Sequence, residues 1–188
     1  MAENVLLWDM NLQGISPFDG RQIEVVANGL PLWGGAQLAV DATLVSPVRR
    51  DGRPQPHAAV VDGAQLLEAR RRKERKYWEL VRSRRCRIVV VGLEVGGRWS
   101  DEALDFVRHL AKAKARAHPP LLRASAQMAY SHRWMGLLAV AAQRALAATL
   151  LELPVDEVGA DGDPPLLEDV LHEGRLLEAP LPSRLPAF

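Results

Sequence analysis

The segment Arg87 to Val95, Arg-Ile-Val-Val-Val-Gly-Leu-Glu-Val, is an almost unbroken apolar run. A strand of this kind is stable only when both of its faces are covered. The chain must therefore supply partner strands beside it and helices above and below it. That requirement places it among α/β folds and makes Arg87 to Val95 the expected central strand of a sheet.

The rest of the chain supplies those parts. Residues 21–27, Arg-Gln-Ile-Glu-Val-Val-Ala, read as a strand, and residues 37–45 read as a second. Asn28-Gly29 and Gly34-Gly35 bracket a turn-rich connection that would set the two strands antiparallel. Pro47, Pro54 and Pro56 make 46–63 a loop. From Ala64 to about Arg85, residues Leu66, Ala69, Lys73, Tyr77 and Leu80 recur every three or four positions, which predicts one long helix. Ser100 followed by Asp101-Glu102 is an N-cap with acids in the first turn. The helix it starts runs to about Ala117 and stops at His118-Pro119-Pro120. A last long helix covers roughly Leu121 to Leu151. The order strand, strand, helix, strand, helix, helix predicts a mixed sheet flanked by helices. The expected organisation is a lead-in segment over 1–20, one domain over 21–151, and an acidic, flexible Pro/Gly-rich tail over 152–188, with a short amphipathic turn at Leu166 to Leu171.

The 188 residues are enough for a sizeable core. The N-terminus has acids and no long apolar stretch, so no signal peptide is expected. Met135 to Leu151 is the best membrane-span candidate, and Gln143 and Arg144 interrupt it, so no contact with a membrane is expected. Cys86 is the single cysteine, which excludes an internal disulfide and a multi-cysteine zinc site. An intracellular chain is expected. Charge is strongly segregated. Arg70 to Arg87 holds ten Lys/Arg against Glu74 and Glu79, a net +8, whereas Glu152 onward holds nine acids against Arg175 and Arg184, a net −7. So dense a basic segment is the electrostatic footprint of phosphate binding. A solvated arginine-rich helix face has the same composition, but leaves Lys73 on the inward stripe unexplained.

Asp41 lies inside the apolar run Leu38 to Val45, and Lys73 lies in the apolar stripe of the next helix. Buried charges are costly unless paired. An inward acid and an inward lysine on neighbouring elements therefore mark a candidate active site. Asp41 and Thr43 share a strand face, and Glu24 on the preceding strand can lie opposite them. Two carboxylates on adjacent strands form a hard oxygen site of the type Mg²⁺ uses. Such a metal polarises a scissile phosphate and lowers the pKa of a bound water, and a nearby lysine can orient that water or stabilise transition-state charge. The bland readings are a salt-bridged strand acid for Asp41, a solvated one for Glu24, a snorkelling Lys73, packing for Tyr77 and Trp78, and a strand-end charge for Glu94. The five histidines show no ligand spacing.

Val40-Asp41-Ala42-Thr43-Leu44-Val45, followed by Ala69-x-x-x-Lys73-x-x-Lys76-Tyr77-x-x-Leu80, resembles the restriction-like endonuclease region of non-LTR retrotransposons, of the PD-(D/E)xK superfamily. Ile88 to Gly92 with Gly96-Gly97-Arg98-Trp99, and Gln143-Arg144-Ala145, resemble later parts of the same region. The likeness covers roughly residues 21–151. It implies a restriction-endonuclease-like fold, Mg²⁺ (or Mn²⁺) as cofactor, Asp41 and Glu24 as metal ligands, and Lys73 or Lys76 as the catalytic lysine. Thr43 then stands where the superfamily usually has lysine, and Tyr77 supports the site. Arg70, Arg71, Arg72, Arg75, Arg84 and Arg85 would contact phosphates. The family's basic-Pro-Asp tripeptide falls on Arg21-Gln22-Ile23-Glu24, which has no proline and ends in Glu. The upstream zinc knuckle and reverse-transcriptase motifs are absent, so the chain resembles a C-terminal fragment of a longer element. The implied activity is nicking of DNA in the nucleus, beside a reverse-transcriptase region. Two other readings stay open at this point: a non-catalytic module binding DNA or RNA, and an interaction domain whose basic helix docks an acidic partner or the acidic tail.

Overall fold

The computed structural model describes residues 1–151 and 166–178. The expected acidic tail over 152–188 falls, apart from 166–178, outside the described residues. Two compact units divide at Phe106/Val107, and each is described by itself.

The first unit is a four-stranded mixed sheet in the order β1-β2-β3-β4. Strand β1 is Ala2–Leu6, β2 is Gln22–Ala27, β3 is Gln37–Val45 and β4 is Cys86–Glu94. β1 and β2 are antiparallel, as are β2 and β3, while β4 runs parallel to β3. A parallel neighbour requires a crossover, and here the crossover is helical: α1 is Ala64–Lys76 and α2 is Trp78–Arg82. Helix α3, Asp101–Ala115, follows β4.

Three expectations about the first unit change. Residues 1–20 are more than a lead-in, because Ala2–Leu6 forms the first strand and Leu7 and Met10, in the 3-10 turn that follows, enter the core. Ala-Glu-Asn-Val-Leu has no apolar alternation and a largely exposed edge strand needs none, so the sequence signal was missing. The apolar strand β4 is buried on both faces, as expected, but it is an edge strand and not the central one. Its open edge is covered by its own continuation: Leu93 bridges Trp99, Ser100 N–H donates to Gly92 O at 2.9 Å, and Gly92 N–H donates to Ser100 Oγ at 3.2 Å. Such covering protects an edge from unwanted pairing.

The third change is that the helix expected over 64–85 breaks at Tyr77, whose φ of −119° and ψ of 42° are not helical. Arg21 Nη1 donates to the Lys76 carbonyl there, satisfying an acceptor that a helix end leaves without a partner. The expected N-cap holds, with Ala103 N–H donating to Ser100 Oγ at 3.2 Å.

The core on the α1/α2 face joins Ala39, Tyr77, Leu80, Ile88 and Val90, and Leu66 and Ala69 of α1 pack with Val45. Gly92 permits this approach. A Cβ there would lie 3.0 Å from Leu66 Cδ2 and 3.3 Å from Ser100 Cβ. Leu38 and Val89 pack on the opposite face with Trp33 and Phe106.

In the second unit, helix α4 is Arg123–Leu151 and helix α5 is Leu167–Glu178, longer than the single turn expected at 166–171. Ala111, Ala115, Ala126, Ala129, Tyr130 and Val170 form its core. Pro120–Leu151 is long and apolar enough to cross a membrane by length and composition only, through an 18-residue stretch of mean hydropathy 1.4.

Candidate active site

β2 and β3 are in register with Val25 opposite Val40 and Val26 opposite Ala39. The paired stretch ends there, and Glu24 meets β3 through its side chain, outside the ladder. Asp41 alternates with Val40 and shares the face of Ala39, which carries α1 and α2. Glu24 is exposed at the rim, and its Oε2 accepts the Ala42 N–H at 2.8 Å, one residue from Asp41.

Asp41 itself is 2% exposed. Its Oδ2 forms an ion pair with Lys73 Nζ and accepts no hydrogen bond. Its Oδ1 lies 3.4 Å from the Tyr77 hydroxyl. Lys73 reaches it from the inward stripe of α1, with 23% of its side chain exposed. The lysine is therefore neither buried alone nor snorkelling away from the acid. A buried ion pair of this kind is weak evidence for stability, because desolvation offsets most of the attraction.

Tyr77 occupies the helix break and is 1% exposed. Its hydroxyl donates to the Gln22 carbonyl at 2.7 Å. Burial pushes the phenol up to about 12; the Asp41 charge adds to the rise, Lys73 opposes it, and the hydrogen bond to Asp41 and the Glu24 charge act in the same direction as Asp41. Asp41, Lys73 and Tyr77 thus meet directly, and Glu24 reaches the backbone next to Asp41, at Ala42.

Arg21 and Glu79 hold the same junction and were not singled out as a pair from the sequence. The Arg21 guanidinium forks onto Glu79, with Nη2 to Oε1 at 2.6 Å and Nη1 to Oε2 at 3.1 Å, and also binds Asp19 at 2.6 Å. The hydrogen bonds Arg21 donates to Asp19 and Glu79 raise its own pKa further and lower that of Asp19. Arg21 and Tyr77 together tie the start of β2 to the α1–α2 junction. Glu79 offered no periodic signal, because α2 does not continue the phase of α1.

The other candidates are distributed around this centre. Thr43 is half-buried, one step along the Asp41 face. Lys76 is exposed and sits with Nζ 4.7 Å from the Tyr77 ring centroid, not on Asp41. Arg70 is turned towards Glu102 at 2.7 Å and Glu74 at 3.5 Å, and burial pushes the Glu102 carboxyl up against that pull. Arg75 pairs with Glu68 at 3.1 Å. Exposed Arg71 and Arg72 line an open groove of about 760 Å³ between the end of β3, the 55–61 loop and α1. Exposed Arg84 and Arg85 line a second groove at the start of β3 and β4, where Gln37 N–H donates to Arg85 O at 2.9 Å. Glu94 is held by Arg98 at 3.5 Å, four residues beyond the Asp41 partner Val90. At ~3.3 Å per residue that is a separate place.

No group of three or more His, Cys, Asp or Glu side chains that could hold a metal ion occurs among the described residues. Two neighbouring carboxylates offer hard oxygens of the kind Mg²⁺ takes together with water and substrate oxygens, although Lys73 already holds the Asp41 Oδ2, and they do not suit a closed zinc site. No family model matches the chain, and no match was found among curated proteins or solved structures.

Proposed function

We propose that this chain is a metal-dependent DNA endonuclease that hydrolyses phosphodiester bonds, of restriction-endonuclease-like fold and related to retrotransposon integration. The observation that carries the reading is the buried Asp41–Lys73 ion pair, with Glu24 hydrogen-bonded to the backbone one residue along, at Ala42. The β2–β3 hairpin followed by a helical crossover to a parallel β4 is the framework that such a site needs. Glu24 and Asp41 would hold Mg²⁺, or Mn²⁺, which supplies Lewis-acid polarisation of the phosphate and a more acidic water. Lys73 holds Asp41 in place and presents its ammonium where charge develops on the phosphate oxygens. Tyr77 packs beside Asp41 with its proton on the Gln22 carbonyl, and Lys76 adds positive charge at the rim. Arg71 and Arg72 supply sequence-independent phosphate contacts. A nuclear location follows from this reading.

One observation favours a second reading, a nucleic-acid-binding module with a degenerate site: Lys73 takes up the Asp41 oxygen that a cation would need. The two readings part in a plasmid-nicking assay. The nuclease reading expects Mg²⁺-dependent conversion of supercoiled to open-circular DNA, lost in Asp41→Asn, Glu24→Gln and Lys73→Met. Salt-sensitive binding without Mg²⁺-dependent nicking by the unaltered chain would establish the degenerate module instead.

A further inference from the structure

The second groove contains a feature that hydrolysis at Asp41 does not use. Trp78 was expected to be a packing residue, yet its side chain is 47% exposed. The Arg82 guanidinium lies 5.0 Å from its ring centroid. Arg84 and Arg85 line the same groove, with Asn11 and Gln13 across from them, in a volume of about 760 Å³. The one carboxylate in the lining, Glu79, is already occupied by Arg21, so the free charge of the groove is positive. A half-exposed indole backed by a guanidinium, with two more arginines beside it, is the chemistry of a stacking platform with phosphate contacts. A duplex keeps its bases stacked on each other, and only an unpaired base offers a free face to an indole.

We infer that this groove binds single-stranded nucleic acid, with one unpaired base stacked on Trp78 and the adjoining phosphates on Arg84 and Arg85. The groove lies at the starting ends of β3 and β4, whereas Arg71 and Arg72 line the groove at the other end of β3. A flanking unpaired strand is thereby separated from phosphate contacts made at the Arg71 side. The inference rests on the nucleic-acid part of the proposed function and not on cleavage. The amides of Asn11 and Gln13 can bond base edges or sugar hydroxyls, so the shared chemistry is that of an unpaired DNA or RNA strand.

The test is fluorescence anisotropy on the full chain in chelator, with labelled oligo(dT), oligo(rU) and a blunt duplex of equal length. Trp78→Ala is expected to weaken oligonucleotide binding by about tenfold, in the range of one lost base–aromatic stack. Trp78→Phe should retain most of that affinity, and duplex binding should change less than about twofold, because duplex affinity is carried by phosphate contacts. The Arg84→Ala/Arg85→Ala variant should flatten the salt dependence of oligonucleotide binding. The tighter of the oligo(dT) and oligo(rU) arms assigns the strand, and Trp78 dependence in either supports the inference. Far-UV circular dichroism establishes that the variants fold. Oligonucleotide affinity unaffected by Trp78→Ala, an equal loss on duplex, or competition by polyglutamate as effective as by oligonucleotide would overturn the inference. Asp41→Asn separates the two proposals. It should leave Trp78-dependent binding intact, so a failure of cleavage to depend on Asp41 counts against the nuclease alone.

Discussion

Lys73→Met removes the ammonium and keeps the length of the stem, and it leaves Asp41 as a buried carboxylate without its ion-pair partner. Asp41 is 2% exposed, its Oδ2 has no hydrogen bond, and its Oδ1 has only the 3.4 Å contact with Tyr77. Removing one member of a buried pair costs about 3–5 kcal/mol. Because 23% of the Lys73 side chain is exposed, solvent screening brings the expected loss to about 3 kcal/mol. With a urea m-value of about 2 kcal/mol/M, the unfolding midpoint should fall by about 1.5 M. Asp41→Asn in the same chain should recover more than half of the loss, since the uncompensated charge is then gone. Mg²⁺ should also restabilise Lys73→Met, by about 2.7 kcal/mol at a hundredfold excess over its dissociation constant. The assay is urea denaturation followed by circular dichroism, in chelator and in Mg²⁺. A midpoint shift no larger than that of the exposed control Arg71→Met, or no recovery in the double variant, would refute the pairing argument.

Three further outcomes follow from the same geometry. Tyr77→Phe leaves the part-buried Gln22 carbonyl without its donor and should cost about 1 kcal/mol. Because the folded Tyr77 pKa is raised from 10.0 to about 12, its stabilising contribution is complete below pH 10 and fades as pH rises towards 12. The wild type should therefore lose stability across that window more steeply than Tyr77→Phe, and one of its two tyrosines should titrate late by near-UV absorbance. Gly92→Ala drives a methyl group against Leu66 and Ser100 and should cost about 1–3 kcal/mol, read as a lower urea midpoint. Arg71→Ala and Arg72→Ala should each reduce the salt slope of duplex binding by about one unit if each contacts a phosphate; unchanged slopes would remove that groove from the interface.

Strands β2 and β3 were legible almost to the residue, because apolar alternation and glycine turns mark them locally. The boundaries of β4 were equally clear, but its place in the sheet was not. A strand covered by α1 on one face and by Trp33 and Phe106 on the other reads as central, while its edge is protected by Trp99 and Ser100, which carry no strand signal. β1 was illegible because an exposed edge strand needs no apolar pattern. The break at Tyr77 was hidden, since Tyr77 and Leu80 continue the spacing of α1. What breaks the helix is tertiary: Arg21 takes the Lys76 carbonyl and Tyr77 takes that of Gln22. Asp41 and Lys73 were legible as a pair because charges on apolar stripes conflict with their surroundings. The approach of Glu24 was not legible, because it reaches β3 through its side chain beyond the paired stretch. Arg70 and Arg75 looked like phosphate contacts in a basic string, and the folded chain turns both towards glutamates. Trp78 looked like core because aromatic residues usually are, and its exposure became visible only once α2 had its own phase.

The central claim is that Glu24, Asp41 and Lys73 form one hydrolytic site. Its most direct test is the initial rate of supercoiled-plasmid nicking as Mg²⁺ is titrated, for the unaltered chain and for Asp41→Asn. The account predicts a saturable Mg²⁺ dependence and a rate loss of about a hundredfold or more in the variant, the size typical of removing one catalytic electrostatic partner. Nicking at equal rates by both chains, or nicking indifferent to Mg²⁺, would contradict it.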